Sequence, residues 1–320
     1  MKENQVVFKD VDVKTGKEKN KWQLDKKQNL LLSDSYERQN CILKLDRVRL
    51  CATHLQFKKF KVDDSLKLTF ANFCQCRLCP MCSKRRSLKV FSHISKVMNE
   101  IKDEYAFLFL TLTLENCGAE ELNSTIKLIT ESFGKMFKRK AITKVSKGWF
   151  RALEVTYNRE RDDFNPHLHI IIAVSKSYFT SRDYLKQCEW TQLWQQSLKV
   201  DYTPVVNIKR FNKSKNIKKS VSEAAKYTVK SSDYLIRGNN ELTDKLVAVL
   251  DGALAYKRLI AYGGRLKEIH KELNLDDTEN GDLVNVDLED EVRFDEFIIL
   301  NVRWNVGLSN YFIDEEYKFQ

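Results

Sequence analysis

The sequence predicts an α+β fold, with one central, mainly antiparallel sheet and helices flanking it. Three observations carry that expectation. Between about residues 105 and 235 the apolar pattern runs strand, helix, strand, strand, helix, strand, helix. Two of those strands, WFRALEVTYN and HLHIIIAV, have only the polar turn RERDDFN between them, so they should pair as an antiparallel hairpin. The chain of 320 residues is 42% apolar, enough for a real core on which crossover helices can pack.

Taken in order, about residues 1–50 are polar and give no clear periodicity, and KTGKEKNK within them has the composition of disorder. SKRRSLKVFSHISKVMNEI reads as a helix, with Leu88, Phe91, Ile94, Met98 and Ile101 on one face and Ser83 as candidate cap. FLFLTLTL, from Phe107 to Leu114, reads as a buried strand. A helix carrying Leu122, Ile126, Ile129, Phe133 and Phe137 follows, then the hairpin. RDYLKQCEWTQLWQQSL is expected to be helical, VVNIKRF a strand and VSEAAKYTVKSSDYL a helix. Residues 243–273 look helical and the last thirty strand-rich. The expected organisation is an N-terminal region with a cysteine-rich segment over 1–103, a core over 104–240, and a C-terminal helical and strand extension over 241–320 packed on that core.

The formal net charge is +11 and the pI about 9.1, which favours a polyanionic partner through counterion release. The charge is uneven. KRFNKSKNIKK, from Lys209 to Lys219, contains no acid, whereas Asp276 to Glu296 is strongly acidic with Arg293 as its only basic residue. The acidic stretch reads as a solvated loop. No uncharged run reaches membrane-spanning length and no apolar run follows Met1, so the expectation is a soluble, cytoplasmic protein with no membrane partner.

Two of the five histidines fall in NPHLHIIIAV, one residue apart. Strand side chains alternate, so His167 and His169 share a face while Leu168 and Ile170 share the other. The opposing strand carries one acid in its middle, Glu154, which is costly to bury unless it is paired or ligates a metal. Two imidazoles and a carboxylate would leave coordination positions open and suit Mg²⁺ or Mn²⁺. The plainer alternative is a pair of half-buried histidines with ordinary hydrogen bonds.

In SVSEAAKYTVK, Glu223 and Tyr227 are four apart and would share a helix face, with Ser220 and Glu223 forming a capping box. Lys226 and Lys230 accompany them, and Lys209 and Arg210 lie upstream. A tyrosine beside a carboxylate and several lysines fits a phosphoryl-transfer nucleophile. Alternatively Tyr227 joins Tyr234 in a packing stripe. Four of the eight cysteines crowd into FCQCRLCPMC, and such spacing without a leader argues for metal rather than disulfides.

Together these segments resemble the rolling-circle replication initiators of small Gram-positive plasmids, HUH endonucleases of the subclass with one catalytic tyrosine and a partner glutamate. FLTLTLEN, NPHLHIII, EAAKYTVKSSDYL and the pair RVRLCATHLQF and NFCQCRLCPMCSKRR carry the resemblance, which runs from about Trp22 to Tyr311. It implies an HUH-like fold, His167 and His169 as metal ligands, Tyr227 as nucleophile and Glu223 as the acid that activates water in the closing step. Glu154 as a third ligand comes from the strand argument instead. The resemblance also implies a structural zinc on Cys51, Cys74, Cys79 and Cys82, with Cys76 and His54 as alternative ligands. The expected partners are plasmid origin DNA, single-stranded or in a hairpin, with a host helicase and polymerase. Lys226, Lys230, Arg85, Arg86, Lys209 and Arg210 are the candidate DNA contacts. A non-catalytic, zinc-containing DNA-binding regulator is the competing expectation, and a relaxase or transposase would share the chemistry.

Overall fold

The computed structural model describes residues 6–11, 15, 17, 18, 21–211, 221, 229–286 and 295–318, the side chains of 315–318 excepted. In chain order these form β1 (Val6–Val7), α1 (Lys21–Arg38), α2 (Ile42–Leu50), β2 (His54–Phe60), β3 (Leu66–Ala71), α3 (Pro80–Ile101), β4 (Tyr105–Thr113), α4 (Leu122–Phe137), α5 (Lys140–Val145), β5 (Ser146–Asn158) and β6 (Asp163–Ser175). Then come α6 (Gln187–Leu198), β7 (Val206–Arg210), α7 (Ser231–Tyr234), α8 (Asn240–Leu254), β8 (Ile260–Gly264), α9 (Arg265–Glu272), β9 (Phe297–Asn305) and β10 (Asn310–Lys318). The chain divides into two compact units, one of Met1–Arg86, Leu235–Val247 and Asp282–Gln320, the other of Ser87–Tyr234 and Ala248–Gly281. Each unit holds one five-stranded sheet, and all the pairings between strands are antiparallel. The expected α+β class holds, with two such sheets instead of one.

In the first unit the strand order is β1-β10-β9-β2-β3. Helix α1 packs on it: Trp22 meets Phe57 edge-on, Phe8 stacks on Phe57, and Leu32 and Tyr36 are buried. The Tyr311 hydroxyl donates to the Ala52 carbonyl at 2.6 Å. The strand-rich C-terminus therefore pairs with His54–Phe60 of the N-terminal region. Helices α1 and α2 form where no periodicity was evident, because α1 buries Lys26, Asn29, Ser33 and Ser35 along with its apolar residues.

In the second unit the order is β7-β4-β6-β5-β8. The expected hairpin is β5–β6, in a register that sets Glu154 opposite His167 and Ala152 opposite His169. One face of this sheet, with Phe107, Phe150, Ala152, Ile171 and Ala173, packs on Val90, Ile94, Val97, Met98 and Ile101 of α3 and on Leu266 and Ile269 of α9. On the other face Trp149 and Arg151 meet Phe133 of α4.

Several elements differ from expectation. Helix α3 starts at Pro80 instead of at a Ser83 cap, since proline suits the first helical turn. Helix α6 starts at Gln187, five residues after Arg182, because the Glu189 carboxylate accepts the Lys186 backbone N–H and caps it there. The helical reading of 243–273 is interrupted by strand β8, which pairs with β5 and ends at Gly264. Gly264 has φ +55°, and a Cβ there would lie 2.6 Å from the Lys147 carbonyl oxygen. VSEAAKYTVKSSDYL is not one helix: Val229 and Lys230 are non-helical, and α7 starts at Ser231. Residues 222–228 of that segment, residues 212–219 of the basic stretch, Ser220, 287–294 of the acidic one and half of KTGKEKNK lie outside the described residues. Among the described residues no helix is long and apolar enough to cross a membrane.

Candidate active site

Three neighbouring strands assemble the site. Cross-strand partners share a face, so Glu154 of β5, His167 and His169 of β6, and Thr111 and Thr113 of β4 all project from the same side of the sheet. Glu154 and His169 are buried. The Glu154 Oε2 atom lies 2.8 Å from His169 Nε2 and 3.2 Å from His167 Nε2. Burial alone would raise the Glu154 carboxyl, but its hydrogen bonds and charge interactions with the two histidines outweigh that and hold it well below the usual carboxylate range.

Each imidazole is held from its other nitrogen. His167 Nδ1 lies 3.1 Å from the Asn165 carbonyl oxygen, and His169 Nδ1 lies 3.3 Å from Thr111 Oγ1. Phe109 stacks on the His169 ring at 5.5 Å. A carbonyl oxygen only accepts, so His167 Nδ1 must carry the proton. His167 Nε2 is left facing the carboxylate, where it can donate as an imidazolium or, in the neutral ring, share a cation with Glu154. The three donor atoms lie within 4.8 Å of one another and are of the types a hard or borderline divalent cation accepts. The residues present fit such an ion, with coordination positions left open.

Lys230 joins this cluster, its Nζ 3.9 Å from Glu154 Oε1 and its side chain half exposed. The chain just beyond is tied to the same strand end, where Arg159 donates to the Ser232 carbonyl at 2.8 Å. Tyr234 is buried, which withdraws it from any role as an accessible nucleophile. Glu223, Lys226 and Tyr227 lie outside the described residues. Thr111, Phe109 and the Asn165 carbonyl had no role assigned from sequence. Strand alternation opposite His169 was the signal that could have found Thr111.

In the other unit Cys51, Cys74, Cys79 and Cys82 converge as a buried group able to hold a metal ion. The Sγ atoms of Cys51–Cys82, Cys74–Cys82 and Cys51–Cys79 are each 3.6 Å apart. Tetrahedral coordination with metal–sulfur bonds of about 2.3 Å requires edges of about 3.8 Å, so the thiols stand almost at metal-binding spacing. Backbone N–H groups of Cys74 and Cys76 point at Cys51 and Cys74 sulfurs at 3.4 Å, and Asn29 Nδ2 donates to Cys79 Sγ at 3.3 Å. Buried Lys26 donates to the Asn29 side chain and to the carbonyls of Arg49 and Cys51. Burial brings its ammonium down to about 8, against the pull of the neighbouring thiols. Cys76 and exposed His54 stay outside the four-thiol group.

The basic candidates separate. Arg85 is buried and donates to the Leu283 and Val284 carbonyls, while Arg86 donates to the carbonyls of Gln75 and Cys76 and braces the cysteine loop. Both guanidinium groups are thus occupied within the fold. Lys209 and Arg210 are exposed on edge strand β7, with the Arg210 guanidinium 4.0 Å over the Phe179 ring.

Set beside known proteins, residues 65–312 match the model of a family described as replication protein, and the chain belongs to that family. It is 39% identical to Protein rep of Bacillus amyloliquefaciens over 93% of this chain and 95% of that protein. It is 44% identical to Protein rep of a Bacillus species, over 76% of this chain and 85% of the relative. A Protein rep of Streptococcus pneumoniae serotype 2 is 39% identical over 94% of this chain and 93% of its own length. No solved structure matches.

Proposed function

We propose that this chain initiates rolling-circle replication of a small plasmid, nicking and rejoining one strand at the double-strand origin through a 5′-phosphotyrosine. The observation that supports this most directly is the convergence of Glu154, His167 and His169 on one sheet face in a member of a replication protein family. A Mg²⁺ or Mn²⁺ ion held by these residues would polarise an oxygen of the scissile phosphate. The Tyr227 oxygen attacks phosphorus in line, the bond from phosphorus to the 3′-oxygen breaks, and the departing hydroxyl primes a host polymerase while a host helicase opens the duplex. Tyr227 precedes Lys230, whose ammonium lies 3.9 Å from Glu154, by three residues in the sequence, which supports assigning the nucleophile to this cluster. Lys230 and Lys226 neutralise phosphate charge. Glu223 accepts a proton from water when the regenerated origin is cut.

The four-thiol group fits a structural zinc, since a closed sulfur tetrahedron leaves no position for substrate. Its ligands join the end of α2, the loop after β3 and the start of α3, which would brace those elements. The decisive experiment is incubation of the protein with single-stranded origin DNA and Mn²⁺, followed by mass spectrometry. A DNA adduct on Tyr227 is expected. Origin binding with no adduct on any residue would leave the non-catalytic regulator as the better reading.

A further inference from the structure

A cavity of about 320 Å³ opens at the other end of the sheet face that carries the Glu–His–His cluster. It lies where four chain segments meet: Lys102 just after α3, the start of β4 at Tyr105 and Phe107, Lys176 just after β6, and the end of β7 at Arg210 with Phe211 after it. Tyr105 and Phe107 alternate with Phe109 and Thr111 on the strand face that His169 shares. Tyr105 is six residues from Thr111, so the cavity stands roughly 20 Å from the cluster along the strand. Between them runs an aromatic series, in which Phe211 contacts both Phe107 and Phe109, and Phe109 stacks on His169.

We infer that this cavity is a nucleotide subsite for the strand on which the enzyme acts, taking one unstacked base against Tyr105 with the flanking phosphates on Lys102 and Lys176. The inference rests on the nuclease reading above. Two features favour it. The cavity has three cations and one acid, Asp103, on its wall, the balance a polyanion needs. Its wall includes the aromatic residues Tyr105, Phe107 and Phe211, the residue type on which bases stack in single-strand sites. Lys102 and Lys176 are exposed, Lys102 reaching the Asn99 side chain and Lys176 the Asp103 carbonyl; an ammonium has three protons, so each keeps donors for phosphate. Asp103 supplies an acceptor for a base N–H, such as the imide N–H of thymine.

The test is binding of a twenty-residue oligothymidylate to the full chain without divalent cation, read by fluorescence anisotropy across salt concentrations. Tyr105→Ala should weaken binding roughly 5- to 150-fold, the range expected for one lost stacked base, and Tyr105→Phe should restore it. Lys102→Ala and Lys176→Ala should each flatten the slope of log affinity against log salt by about 0.7, one phosphate contact on a single strand. Thymidine monophosphate should compete only at far higher concentration. Circular dichroism confirms that each variant is folded. Wild-type affinity in Tyr105→Ala, unchanged slopes in both lysine variants, no oligothymidylate binding by the wild type, or equal binding of the free nucleotide would each overturn the proposal. Adduct formation on Tyr227 is scored separately. An adduct together with unaltered Tyr105→Ala binding removes this subsite and leaves the nuclease reading standing, whereas a wild type that forms no adduct removes the nuclease reading itself.

Discussion

Replacing Glu154 by glutamine tests the metal centre with the least disturbance of the fold. The amide keeps the shape of the side chain and can still meet His167 and His169, whose Nε2 atoms lie 3.2 and 2.8 Å from the carboxylate oxygen. It removes the only anionic donor of the three-residue group. Losing an outer partner of a metal ligand typically costs 10–100-fold in metal affinity, and losing a charged ligand itself should cost more. Thr111→Val supplies the internal comparison, because Thr111 touches His169 only from behind, at Nδ1 and 3.3 Å. The expected order is therefore wild type, then Thr111→Val weaker by about 10-fold, then Glu154→Gln weaker by about 100-fold or more. Mn²⁺ titration of the protein followed by electron paramagnetic resonance reads the affinities, and adduct formation at limiting Mn²⁺ should fall in the same order. Equal Mn²⁺ affinity in wild type and Glu154→Gln would refute the ligand assignment and reduce the cluster to an ordinary buried ion pair.

Tyr227→Phe should abolish the covalent adduct while leaving origin binding intact; an adduct that survives would move the nucleophile elsewhere. Glu223→Ala should still nick and join but fail to terminate, giving multimeric single strands in cells, because attack by water gains about 10²–10⁴-fold from a general base; normal termination would contradict the role. Cys79→Ser should release zinc and lower the melting temperature, since binding by a closed thiolate site is coupled to folding; a purified wild type without zinc by elemental analysis would refute the site. For His93, burial and the neighbouring His270 bring the folded-state pKa from 6.5 down to about 4, so the unfolded chain takes up the proton first as pH falls. Stability should therefore decline between about pH 6.5 and 4, and His93→Gln should flatten that limb in pH-dependent urea melts; an unchanged limb would discount the histidine.

What could be read from the sequence follows from which physical signals are local. The β5–β6 hairpin was legible because only a polar turn separates its two strands. The sequence left the register open; the structure ends β5 at Asn158, starts β6 at Asp163 and sets Glu154 opposite His167, so the three candidate ligands expected from the two strands come together. Thr111 was harder. Its strand was evident, but placing it behind His169 requires knowing that β4, distant in sequence, is the other neighbour of β6. Helix α1 was hidden for a different reason. Its inner face holds Lys26 and Asn29, which serve the carbonyls and the sulfur around the thiol group, so its hydrophobic period is broken by residues that are polar because of what they hold.

Arg85 and Arg86 show what charge in a sequence leaves open. A basic run beside a cysteine knuckle looks like a nucleic-acid contact, yet those guanidinium groups satisfy backbone carbonyls of the loops they anchor. Charge in a sequence counts the cations a fold contains, and only packing decides which of them face outward. On that criterion Lys209, Lys230, Lys102 and Lys176, each exposed on the unit that carries the Glu–His–His cluster, are the residues on which phosphate binding should be tested first.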